Sequence, residues 1–131
     1  MSDTSGALEP ERFVPLLDAI RDILLRHDFI GQAILVAELI DLAHLQSSNF
    51  ASRLSGGEMW GSAGSVADGV DLRPSMDPVD AHTERDSLEL TRLLIQLADQ
   101  MKAQGISSER SEFVAHVFGR GLERRRREQR P

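Results

Sequence analysis

The chain has 131 residues, 40 % of them hydrophobic, and a net charge of −6. That length fits one domain with a single modest core. No apolar run reaches the roughly 18 residues of a membrane span. There is no cysteine, which excludes disulfide and thiolate chemistry, and the polar start "MSDTSGALEPER" lacks the regions of a secretory signal. A cytoplasmic protein without a cofactor is expected. Fourteen arginines against one lysine point to a GC-rich bacterial genome.

The spacing predicts a first helix over about 12–27. Phe13, Leu16, Leu17, Ile20 and Leu24 share one face, and Pro15 is tolerable only in the first turn. The second helix, about 31–46, is apolar nearly all round through Ile34, Leu35, Val36, Leu39, Ile40, Leu42 and Leu45. Such a helix is expected to be central and covered on several sides. Ser47-Ser48-Asn49 ends it, and "NFASRL" can add one more turn.

Residues 55–80 have little periodicity and read as a long, ordered, Gly-rich loop, with Pro74 and Pro78 as breaks and "VDL" as a short extended piece. Its first part, "LSGGEMWGSAGSVADG", holds the single tryptophan, Trp60, and half of the ten glycines. The third helix, about 81–104, has Asp80 as N-cap, Thr83 and Asp86 as a second capping pair, Leu90, Leu94, Leu97 and Met101 as its stripe, and Gly105 as its C-terminal stop. The fourth, about 108–127, draws its apolar face from Phe113, Val114, Val117 and Phe118 and ends in an arginine run. Residues 1–10 and 128–131 are expected to be flexible ends. No segment alternates with period two, so the fold is all-α: three main helices and a C-terminal one around one core.

The pattern "GG" at Gly56-Gly57 followed by Gly64-Ser65-Val66-Ala67-Asp68 between helices resembles a family of small bacterial helical proteins of unknown function with a Gly-Gly and Gly-Ser-x-x-Asp loop. The resemblance spans roughly residues 12–104. It implies a helical fold and supplies no activity. Some such proteins are suspected partners or immunity factors of toxins, which implies a binding role.

The loop fails the tests for common catalytic motifs. A P-loop needs a lysine after its second glycine, and none precedes Lys102. A dinucleotide fingerprint needs a preceding strand. A nucleophile elbow at Ser62 has Trp60 where glycine is required. An anion or small ligand at 55–69 stays open through backbone N–H groups, although no cationic side chain lies between Ser55 and Leu72. The structural reading makes Ser65 and Asp68 a capping box and Trp60 an apolar plug, at least half buried. In the binding reading, Trp60, Gly64, Ser65 and Asp68 are the candidate ligand or partner residues.

Glu38, Asp41 and His44 step along the second helix at i+3. Asp41-x-x-His44 is related to the spacing that binds metals in bundles, with Glu112 and His116 as the candidate second half. His27 and His82 have no evident relay partner. The net charge divides into +4 on the last twelve residues and −10 on the first 119. An acidic body argues against nucleic acid; Arg124, Arg125, Arg126 and Arg127 read first as a solvated helix end, then as a segment that folds onto the acidic body or a neighbouring chain, and then as the candidate contact for a polyanion or an acidic partner. The expected function is a protein–protein interaction module, an immunity or accessory factor. The alternatives are a ligand-binding protein using the loop and a metal-binding or enzymatic protein using Glu38, Asp41 and His44.

Overall fold

The computed structural model describes residues 8–61, 65–67 and 81–128. A 3-10 turn over Pro10–Phe13 leads into α1 (Val14–Arg26), followed by α2 (Ile30–His44), α3 (Phe50–Leu54), α4 (Gly57–Trp60), α5 (Ala81–Ala103) and α6 (Glu109–Glu128). Among the described residues there is no strand, so the all-α class holds. No helix is long and apolar enough to cross a membrane among those residues.

Local chemistry sets the helix ends. Pro15 falls in the first turn of α1, where its missing N–H costs no helical bond. At the end of α5, Gly105 has φ +77°; its N–H donates to Lys102 O and the Ile106 N–H to Met101 O. That is the Schellman pattern, with glycine at the left-handed position. The same pattern ends α1 and α2, with residues the sequence does not flag: Asp28 (φ 63°) and Gln46 (φ 51°). Phe29 N–H donates to Leu24 O, and Ser47 N–H to Leu42 O. At the start of α6, the Ser111 N–H donates to Ser108 Oγ and the Ser108 N–H to Ser111 Oγ. This is a reciprocal cap with serine in the place usually held by Glu.

Helix α1 packs against both α2 and α5, and α6 lies on α5 and touches α4. The core joins Phe13, Leu17, Ile20 and Leu24 of the first segment to Val36 and Leu39 of α2 and Leu90, Leu94 and Leu97 of α5. Phe13 and Phe50 meet at 5.6 Å between ring centroids, within the range for favourable aromatic pairs.

Two expectations need correction. The middle position belongs to α1, while α2 packs on α1, the 3-10 turn and α3. Its outer side leaves Ile30, Ile34 and Leu45 exposed. Apolar residues all round a helix do not supply neighbours all round it. The span 55–80 is also not loop throughout, because Gly57–Trp60 forms a helical turn. Both the Met59 and Trp60 N–H groups donate to Gly56 O at 3.2 Å, which closes that turn. The additional turn expected in "NFASRL" is α3. Gly64, Asp68, "VDL", Pro74, Pro78 and Asp80 lie outside the described residues, so the capping box and the third helix's N-cap do too.

Candidate functional site

Trp60 is 1 % exposed. Its indole N–H donates to Leu54 O at 2.9 Å, so the ring is sealed without leaving a buried donor unpaired. Gly61 permits this close fold. A Cβ there would meet the Gly57 backbone at 2.5–3.0 Å, and the Gly61 N–H donates to Gly57 O at 2.7 Å. The chain then returns over α4, where the Val66 N–H donates to Glu58 O. Ser65, Val66 and Ala67 are buried. In the described part of the Gly-rich segment Leu54, Met59, Trp60, Ser65, Val66 and Ala67 thus turn inward, and Glu58 stays at the surface against Arg53.

An open apolar cleft of about 170 Å³ lies between this plug and α6, walled by Trp60, Gly61 and Ala67 on one side and Phe113, Val114, Val117 and Phe118 on the other. All four α6 residues were expected on the apolar face, but the helix divides them. Val114 and Phe118 pack against the core. Phe113 is 66 % and Val117 46 % exposed. The sequence carries a signal for this division. Phe113 and Val117 lie at i−7 and i−3 from Arg120, on the polar side, whereas Val114 and Phe118 align with the fully buried Ser111.

A second cluster overturns the expected Thr83–Asp86 capping pair, since both residues fall inside α5 rather than at its start. Asp86 lies in the second turn of α5, which begins at Ala81. Its carboxylate accepts from His27 Nε2 at 2.8 Å and from Arg26 Nη1 at 3.3 Å, both at the end of α1. The His27 hydrogen bond is the main reason its pKa falls below the ordinary aspartate value; Arg26 adds to this, and burial opposes it. Position 86 precedes Leu90, Leu94 and Leu97 on the same helical face, so an acid on the apolar stripe was the available clue.

The other candidates stay apart. Glu38, Asp41 and His44 are exposed on α2, and Glu38 accepts from Arg53 at 3.0 Å. No group of three His, Cys, Asp or Glu able to hold a metal occurs among the described residues. Glu112 and His116 face Asp99 and Lys102 across an open groove of about 390 Å³ between α5 and α6, far in sequence from the α2 stripe. Glu112 accepts from Ser107 Oγ at 2.7 Å. Arg124, Arg126 and Arg127 are exposed, and Arg125 lies in the same helical run. No family model, curated protein or solved structure matches the chain.

Proposed function

We propose that the chain is a protein-interaction module that docks its partner on the outward face of α6 and the adjoining cleft. The observation that carries this reading is the exposure of Phe113 and Val117 beside an apolar cleft whose other wall, Trp60, is fully buried and hydrogen-bonded. Contiguous exposed apolar surface next to a pre-formed recess is the usual mark of a binding site, and an aromatic anchor is the usual hot spot. The alternative of an anion in the Gly-rich loop loses support: Ser65, Val66 and Ala67 face inward, and no cation lies between Ser55 and Leu72. A metal on Glu38, Asp41 and His44 loses support from the engagement of Glu38 with Arg53.

The test is site-specific photo-crosslinking in cells. A photoreactive side chain at position 117 should form adducts that are missing when the probe stands at exposed Gln96 on α5. Absence of adducts at 117, or the same adducts from both sites, overturns the reading.

A further inference from the structure

The outward face of α6 changes character along its length. Glu109, Phe113, Val117, Arg120, Arg124 and Arg127 follow at steps of three or four residues, so they occupy one side of the helix. All six are exposed. The charged members form no ion pair among the described residues. The opposite side, with Ser111, Val114 and Phe118, is turned to the protein. The stripe therefore reads Glu109 with Arg110 beside it, an apolar pair, then cations with Glu123 beside them.

A stripe of this kind complements itself when reversed. We infer that its occupant is α6 of a second copy of this chain, lying antiparallel across a two-fold axis near positions 116 and 117. The inference rests on the reading of α6 as the docking surface. With the axis there, Glu109 of each copy faces Arg124 of the other. Those two residues are 15 positions apart, about 22 Å along the helix, so one ion pair closes each end of the contact. Phe113 faces the other copy's Arg120, a guanidinium over an aromatic ring. Val117 meets Val117 at the axis. A two-fold contact of this type uses the same patch on both chains, and antiparallel helix dipoles attract. The parallel arrangement sets Arg120, Arg124 and Arg127 beside their own counterparts and repels.

Other occupants use less of the stripe. A polyanion leaves Phe113 and Val117 uncovered and meets Glu109. An anionic membrane also meets Glu109 beside Arg110 at one end of this side and Glu123 among the arginines at the other, whereas a surface-binding helix needs cations without acids beside its apolar residues.

The test is sedimentation equilibrium of the full chain over a wide concentration range at low salt. The expected result is a reversible approach to the mass of two 14.5 kDa chains. Glu109→Arg and Arg124→Glu should each weaken the dimer by about tenfold, since each sets like charges opposite one another. Both changes in one chain should return it to near the parent value, because the swap restores the pair in the antiparallel register alone. Val117→Ser should weaken it as well. These positions are on the surface, and unchanged thermal unfolding of the variants at dilutions where all are monomeric confirms that the fold is kept. A monomer at every concentration overturns the inference, as does a dimer indifferent to the charge variants. The two readings fail separately. A monomer whose probe at position 117 captures a different protein leaves the docking surface and removes the second copy. A monomer without adducts removes both. A monomer that co-sediments with vesicles of anionic phospholipid, and loses this with Arg124→Glu, assigns the stripe to a lipid surface instead.

Discussion

Trp60 and Phe113 stand on opposite walls of one cleft, and the fold treats them in opposite ways. Trp60 is 1 % exposed and gives its N–H to a backbone carbonyl; Phe113 is 66 % exposed and lies on the side of α6 that carries the arginines. Both are large aromatic groups. The difference lies in the backbone around them. Gly61, where a Cβ would strike the Gly57 backbone, lets the chain close beside the indole, whereas Phe113 sits on a regular helix whose orientation is fixed by its neighbours Val114 and Phe118. Side-chain chemistry sets what a residue gains from burial. The elements around it decide whether burial is available.

The largest expected effect is on the buried wall. Trp60→Ala removes a sealed aromatic and should cost roughly 3–5 kcal/mol. There is no tyrosine, so tryptophan fluorescence reports this site alone: blue emission, resistance to iodide, and one red shift on global unfolding are expected. Red, easily quenched emission from the folded protein would break the contrast between the two walls. Leu39→Ala should cost on the order of 2–5 kcal/mol, because Leu39 is fully buried on the inner side of α2. The same change at Leu45, on the exposed side, should stay within about 0.5 kcal/mol. Equal losses at the two positions, measured by denaturant unfolding, would mean that α2 is covered on both sides.

Asp86 joins two helix ends that are distant in sequence, and its neutral variant should rank next. Asp86→Asn should cost about 1–3 kcal/mol at neutral pH, the range for a charge-assisted hydrogen bond. Its acid dependence has a definite sign. The folded state holds the carboxylate below its ordinary value, so the unfolded chain binds the proton more readily. The stabilisation is complete above the ordinary aspartate value and is lost as pH falls through the lowered, folded value. The difference in denaturation midpoint between parent and Asp86→Asn should shrink across that window. A difference that stays constant with falling pH contradicts the linkage.

The exposed wall should give the smallest effect on stability and a large one on binding. Phe113→Ala should change unfolding by about 0.5 kcal/mol or less, as surface substitutions do, while removing the crosslinks obtained from position 117. A loss of several kcal/mol would show Phe113 to be part of the core and end the comparison.

By itself, the sequence determined where the long helices run and several of their stops. Pro15 in the first turn of α1, the stripe of α5 and Gly105 behind it were all legible, because helical periodicity and end caps depend on residues within a few positions of each other. The burial of Trp60 followed from the shortage of aromatic residues and the glycines beside it. The tertiary structure decided which of two adjacent ridges on α6 turns inward: Phe113 with Val117 and Val114 with Phe118 are equally apolar, the alignment of the first pair with Arg120 is only a weak signal, and contact with α4 and α5 settles it. It also decided that α1, not α2, takes the middle position, and that Asp86 meets His27 across 59 positions. Left-handed stops at Asp28 and Gln46 belong with these: neither residue marks such a turn as glycine does, and the packing of Phe29 against the core holds the first in place. Facing relations of this kind arise when apolar surfaces compete for the same partners, and that competition is settled between helices rather than within them.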